Sequence, residues 1–125
     1  MTVVLRKAYG LGAMTMGAGS FKSTAMAVSW PTGEFGGMGL EGQVKLGFRA
    51  ELAAIEDPKE RLARYEELVA RAYERGKALN AGVSFGVDDV IDPAGTRDLI
   101  ASVFSSWRKP ERVAGTKKRA NVDTW

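Results

Sequence analysis

The stretch RKAYGLGA, residues 6–13, directly follows the apolar run TVVL at residues 2–5. So short a run of β-branched and apolar residues predicts a buried strand. Gly10 and Gly12 then predict a tight turn, which continues as a short helix within residues 10–20. A strand that passes through a glycine turn into a helix is typical of α/β folds, and this order decides the fold class predicted for the chain.

A second glycine-bearing stretch, WPTGEFGGMGLEG, occupies residues 30–42, so that most of the chain's 15 glycines lie between Gly10 and Gly47. Glycines at helix starts leave backbone N–H groups accessible, and such groups can bind an anion or a developing oxyanion. The GLG of residues 10–12 does not extend to a dinucleotide-binding fingerprint, because Thr15 stands where its third glycine belongs. The local alternative is that these glycines only allow close backbone packing.

Further along the chain, strand character lies in residues 25–30 and 35–38. Apolar residues then recur at helical spacing from Leu40 to Ile55, which predicts a core helix. So few strands form only a thin sheet. The pattern therefore fits part of a larger α/β fold better than a complete domain.

Two Asp-Pro steps, at residues 57–58 and 92–93, predict helix starts, because aspartate caps a helix and proline suits its first turn. The first of these helices is expected to reach about Leu79 and to end in a C-cap at residues 80–82. Between the two helices, residues 87–91 predict a short strand or turn.

The composition excludes several kinds of chemistry. With no cysteine and no histidine among 125 residues, the chain has no disulfide, no thiolate metal site and no Ser-His or Cys-His triad, and we expect no metal. The formal charge of +3 comes from basic residues within 108–119, and residues 108–125 are predicted to form a basic extended tail beyond a domain of residues 1–107. Because these charges are confined to that tail, we expect no nucleic-acid partner. The sequence lacks a membrane span and a signal-peptide core, so a cytoplasmic protein without a membrane partner is expected.

Several motifs together carry a more specific signal than any one of them. In order and spacing, they closely resemble the C-terminal part of the biotin-dependent acyl-CoA carboxyltransferases, the beta subunits of acetyl-, propionyl- and related acyl-CoA carboxylases. The resemblance covers about residues 3–107, and its motifs are RKAYG at 6–10, WPTGE at 30–34, MGLEG at 38–42 and DDVIDPAGTR at 88–97.

The resemblance implies part of a crotonase-like domain built of ββα spiral units, with long C-terminal helices. It also implies a reaction that moves carboxylate from carboxybiotin to the α-carbon of an acyl-CoA. Biotin would arrive on another protein or domain, since the chain has no Met-Lys-Met biotinylation motif. The implied partners are an N-terminal carboxyltransferase domain or subunit, a biotin carboxylase or biotin carrier component, and acyl-CoA, in a homo- or hetero-oligomer. The chain alone is expected to be inactive.

The resemblance also implies site residues. The backbone N–H groups of Leu11 and Gly12, or of Gly12 and Ala13, would stabilise the ureido oxyanion of biotin, because many members read YGGAYD where this chain reads YGLGAM at residues 9–14. Met14 thus replaces an acidic residue implicated in acyl-chain selection, so a propionyl-CoA substrate does not follow. The implied substrate-binding residues are Tyr9, Gly10, Met14, Trp30 and Phe35.

Two other functions fit the sequence less closely. One is a non-catalytic assembly module that uses the apolar faces of residues 40–79 to bind a carboxylase complex. The other is a remnant of a crotonase-type hydratase or isomerase. Such an enzyme needs a pair of carboxylates over the thioester, for which Glu34 and Glu41 are the candidates.

Overall fold

The computed structural model describes residues 1–84 and 86–108. Its first four strands come in consecutive pairs, and each pair is followed by a helix. The first unit consists of β1 (Thr2–Val4), β2 (Lys7–Tyr9) and α1 (Gly10–Met16), and the second of β3 (Ala27–Ser29), β4 (Glu34–Gly36) and α2 (Leu40–Gly47). The strand β2 was not predicted, because its charged and aromatic residues do not read as a buried run. All but the first residue of the predicted tail lies outside the described residues.

The two units stack in parallel. β1 pairs with β3, with Val3 opposite Val28, and β2 pairs with β4, with Ala8 opposite Phe35. A fifth strand, β5 (Asp89–Val90), joins the free side of β3. First strands thus form one sheet and second strands another, which is the arrangement of a ββα spiral.

The segment of chain that connects the first sheet to the second is held by close backbone packing. Val28 and Ser29 are fully buried, and the Ser29 hydroxyl donates to the carbonyl oxygens of Val4 at 3.3 Å and Trp30 at 2.9 Å. A Cβ atom at Gly33 would lie 2.1 Å from Ser29 Oγ, so only glycine fits where the chain turns from β3 into β4. The packing interpretation of the glycines is therefore correct at this position.

The predicted helix over residues 40–55 is broken into two. α2 ends at Gly47, and α3 covers Arg49–Ala53. Phe48 departs from helical geometry, with φ −108° and ψ 19°, although its N–H still donates to Val44 O at 3.0 Å. Glycine has a low helix propensity, and Gly47 weakens the helix directly before this bend.

The long helix α4 (Pro58–Arg75) begins as predicted, with Asp57 Oδ1 accepting the N–H of Lys59 at 3.1 Å. Its predicted end near Leu79 is wrong. The helix stops before Gly76, whose carbonyl oxygen accepts the N–H of Phe35 in β4 at 2.7 Å. A Cβ at Gly76 would lie 2.6 Å from Phe35 O, so this close approach requires glycine. Residues 80–82, predicted as a C-cap, lie inside the next helix, α5 (Ala78–Val83).

The last described helix, α6 (Thr96–Ser106), follows a 3-10 turn at Pro93–Gly95. Asp92 Oδ1 accepts the N–H of Ala94 at 2.8 Å, so the predicted start is confirmed. Within the described part of the chain, no helix is both long and apolar enough to cross a membrane.

Candidate active site

Residues 6–13, the first glycine-bearing stretch, run through the strand β2 into the start of α1. Tyr9 is extended, with φ −115° and ψ 131°, whereas Gly10 has φ +53°. A Cβ at Gly10 would lie 2.6 Å from the carbonyl oxygen of Gly37, in the second glycine stretch. The two glycine stretches are thus in direct contact, and Gly10 is required both by its backbone angle and by this approach.

The first turn of α1 presents unpaired donors. The first N–H groups of a helix have no acceptor within the helix, and no side chain caps α1. Leu11 is 75% exposed, Gly12 is also exposed, and a Cβ at Gly12 would meet no atom within 4 Å. Leu11 and Gly12 are therefore in contact with solvent, in a turn whose N–H groups have no acceptor within the helix.

A cavity of about 600 Å³ lies beside this turn, between β1, β2 and α1. Its lining is mainly apolar and includes three predicted site residues, Tyr9, Gly12 and Ala13. Met16 and Phe21 also line it. Of the predicted oxyanion donors, Gly12 and Ala13 thus line a space of the size that small-molecule sites occupy, whereas Leu11 does not.

Tyr9 is held by a carboxylate. Its hydroxyl donates a hydrogen bond to Glu34 Oε2 at 2.7 Å, across the two strands of the second sheet. Burial, together with this hydrogen bond and the charge of Glu34, raises the pKa of the Tyr9 phenol far above its ordinary value. Tyr9 therefore stays protonated and acts as a hydrogen-bond donor, not as a base.

A second pair of the same kind lies nearby. The Tyr73 hydroxyl donates to Glu41 Oε1 at 2.5 Å and joins α4 to α2. This hydrogen bond raises the pKa of Tyr73 and lowers the pKa of Glu41. Glu34 and Glu41, the two carboxylates that a hydratase would need, are thus each engaged by a tyrosine. Sequence reasoning missed both pairs, because their members are 25 and 32 residues apart.

The remaining predicted site residues, Met14, Phe35 and Trp30, lie on different elements. Met14 is 40% exposed on α1. Phe35 packs edge-to-face against Phe21, with ring centroids 6.0 Å apart. Trp30 donates through Nε1 to Thr96 Oγ1 at 2.9 Å, so its indole is tied to the start of α6. Among the described residues, no group of three or more acidic side chains is placed to hold a metal ion.

Comparison with known proteins identifies the family. Residues 1–122 match the model of the carboxyl transferase domain, and the chain belongs to this family of acyl-CoA carboxylases and transcarboxylases. It is 36% identical over 121 residues to the methylmalonyl-CoA carboxyltransferase 12S subunit of Propionibacterium freudenreichii subsp. shermanii. That match covers 97% of this chain and 22% of the relative, so the chain spans about a fifth of the relative's length.

Two solved structures are similar as well. The crystal structure of the transcarboxylase 12S hexamer aligns with a TM-score of 0.72 at 34% identity, covering 96% of this chain and 22% of that one. A single-chain, multi-domain long-chain acyl-CoA carboxylase aligns with a TM-score of 0.65 at 51% identity, covering 81% of this chain and 10% of that one. The crotonase-like fold expected from the sequence is thus confirmed.

Proposed function

We propose that this chain forms the C-terminal part of the carboxyltransferase of a biotin-dependent acyl-CoA carboxylase, and that it supplies the side of the active site that faces biotin. The observation that carries the proposal is the first turn of α1. There Gly10 directs the chain into a helix whose residues Leu11 and Gly12 are exposed and whose first N–H groups have no acceptor within the helix. The family membership supports the same assignment.

In this role the chain would act through its backbone. The N–H groups of Leu11 and Gly12 would donate to the ureido oxygen of biotin and stabilise the negative charge that develops there. Carboxybiotin, held on another protein or domain, would supply the carboxylate for the α-carbon of the acyl-CoA, and the proton that leaves this carbon would go to the ureido nitrogen of biotin. The missing side chain of Gly12 leaves room for the approach, since a Cβ there would meet no atom within 4 Å. Catalysis by fixed N–H donors and by positioning of the reactants requires no histidine. A chain without histidine therefore fits this mechanism.

The acyl-CoA preference follows from the surface of α1. Leu11, Met14 and Met16 are 75%, 40% and 83% exposed, so this helix offers apolar side chains where family members place an acidic one. The 51% identity to a long-chain acyl-CoA carboxylase favours the same conclusion. We therefore expect a long-chain acyl-CoA to be carboxylated in preference to propionyl-CoA.

The proposal is tested by combining the purified chain with the N-terminal part of a carboxyltransferase, biotin and an acyl-CoA. Carboxyl transfer is expected only when both protein parts are present. Turnover by the chain alone would contradict the proposal. Comparing palmitoyl-CoA with propionyl-CoA in the same assay tests the acyl preference.

A matched pair of variants separates catalysis from assembly. Gly12→Leu places a side chain before the donors and should reduce carboxyl transfer about 100-fold or more, the order of magnitude for losing an oxyanion donor. Gly47→Leu is the control, because a Cβ at Gly47 also meets no atom within 4 Å but lies at the end of α2. If Gly12→Leu weakens binding of the other protein part and leaves transfer unchanged, the chain is an assembly module.

A further inference from the structure

We infer that Tyr9 is a positioning residue: its hydroxyl, bound to Glu34, holds the first turn of α1 in place and so aligns the N–H groups of Leu11 and Gly12. This inference rests on the proposed function, because it concerns the same donors. It differs from the role that the sequence implied for Tyr9, which was direct contact with substrate.

The helix α1 has little else to hold it. It is seven residues long, none of its residues is buried, and no side chain caps its N-terminus. A helix is usually fixed by an apolar face packed on the core, and no residue of α1 is buried enough to provide one. Its C-terminal end is followed by the buried Gly17, which lies against the Phe21 ring, so it is the position of the first turn that depends on the residues that lead into α1.

Two contacts fix the entry to α1. One is the close approach of Gly10 to the carbonyl oxygen of Gly37, and the other is the hydrogen bond of 2.7 Å from Tyr9 to Glu34. Tyr9 is the last residue of β2, two positions before Leu11. A rotation of the backbone at Tyr9 would therefore move both proposed donors at once.

The acceptor Glu34 is itself held firmly. Its backbone N–H donates to Arg6 O at 2.8 Å, and it pairs with Lys77 in an antiparallel bridge on the other side of β4. The neighbouring Ala78 N–H donates to Gly33 O at 2.9 Å. Glu34 thus connects the start of α1 to a β-strand that is hydrogen-bonded along both edges.

The chain contains a matched control for this bond. Tyr73 and Glu41 form the same kind of pair, phenol to carboxylate, but they join α4 to α2 and do not contact β2 or α1 through this bond. Tyr73→Phe and Tyr9→Phe each remove one hydroxyl and one hydrogen bond. The Tyr73 bond is exposed and the Tyr9 bond is half-buried, so any general loss of stability in Tyr73→Phe should be no larger than in Tyr9→Phe.

The kinetic test uses the chain combined with the N-terminal part of a carboxyltransferase. Tyr9→Phe should lower kcat for carboxyl transfer about 10-fold and leave KM for acyl-CoA within about twofold, because misplaced catalytic groups cost rate and not binding. Glu34→Leu should have the same effect, whereas Glu34→Gln keeps an acceptor oxygen and should restore most of kcat. Tyr73→Phe should lower Tm by no more than Tyr9→Phe does, and it should keep kcat.

Three results would overturn the inference: an unchanged kcat in Tyr9→Phe, an equal fall of kcat in Tyr73→Phe, or a raised KM for acyl-CoA at unchanged kcat in Tyr9→Phe. The last would mean that Tyr9 contacts the substrate.

A second measurement needs no activity and therefore separates this inference from the proposed function. Order parameters of the Leu11 and Gly12 amides, measured by ¹⁵N NMR relaxation on the full chain, should be lower in Tyr9→Phe than in Tyr73→Phe. Equal order parameters in the two variants would contradict the positioning role even if carboxyl transfer is observed. If lower order parameters are found but the wild-type chain supports no transfer, the positioning of α1 stands and the proposed function fails.

Discussion

Gly10 and Gly12 are only two residues apart, yet the structure requires glycine at one and not at the other. Gly10 has φ +53°, and a Cβ there would lie 2.6 Å from Gly37 O. Gly12 lies in the first turn of α1, where a Cβ would meet no atom within 4 Å. The fold therefore does not require glycine at position 12. This favours a functional reason for Gly12, in the candidate site.

Substitution by alanine should therefore change stability in opposite directions at these two positions. Gly10→Ala should lower the free energy of unfolding by at least ~1–2 kcal/mol, the cost of a left-handed backbone with a Cβ atom. Gly12→Ala should raise it by about 0.5–1 kcal/mol, because alanine restricts the unfolded chain and suits a helix. Urea unfolding of both variants measures the difference. Equal stabilities would show that the Gly10–Gly37 approach is not maintained in solution.

At the level of elements, α2 and α4 are joined by a buried seam and by two contacts at its edge. Leu40, Val44 and Leu68 are buried in this region, at 2%, 2% and 5% exposure. At the edge, Lys45 Nζ lies 5.5 Å from the centre of the Tyr65 ring, and Tyr73 donates to Glu41. The edge contacts are exposed, so they contribute less to the stability of the α2–α4 pair than the buried seam does.

The Tyr73–Glu41 bond should make stability depend on pH on the acid side. The hydrogen bond from Tyr73 lowers the pKa of Glu41 in the folded chain, so its stabilisation is present above the unfolded value of about 4.3 and is lost as pH falls through the lowered folded value. Tyr73→Phe should raise the pKa of Glu41, seen by NMR titration of its side chain, and should shift acid unfolding to higher pH. Tyr65→Phe, which keeps the ring near Lys45, is the control. An unchanged Glu41 pKa in Tyr73→Phe would contradict the bond.

The same elements show what the sequence can predict. The start of α4 was predicted because Asp57 and Pro58 act locally, within one turn. Its end was not, because the helix ends where Gly76 O accepts the N–H of Phe35, which is distant along the chain. The bend at Phe48 was missed as well, since the apolar spacing continues through it.

For the whole molecule, the sequence predicted an α/β class and, through its resemblance to a family, the ββα repeat. It could not predict from local patterns that first strands pair with first strands and second with second, because these pairings join distant residues. Of the candidate site, the sequence named the continuous stretch from Tyr9 to Met14, and its role in binding and catalysis stays a prediction. The bond from Tyr9 to Glu34 was not, since it depends on the register of β2 against β4.

Several large apolar side chains of the described residues are exposed to solvent. Leu11 and Met16 on α1 are 75% and 83% exposed, and Val83 and Phe104 on the C-terminal helices are 81% and 66% exposed. On the proposed function, other parts of the carboxyltransferase cover such surfaces, since the chain spans only 22% of its 12S relative.

The chain alone should therefore bind a hydrophobic dye such as ANS in its native state, and addition of the N-terminal carboxyltransferase part should reduce the fluorescence. A Val83→Ser, Phe104→Ser double variant should show weaker dye binding at a nearly unchanged free energy of unfolding, because both side chains are already mostly in water in the folded chain. Val28→Ser is the contrasting control: Val28 is 0% exposed, so its loss should destabilise the fold and increase dye binding. A dye signal that the partner does not change would argue that these side chains stay exposed in the assembled enzyme.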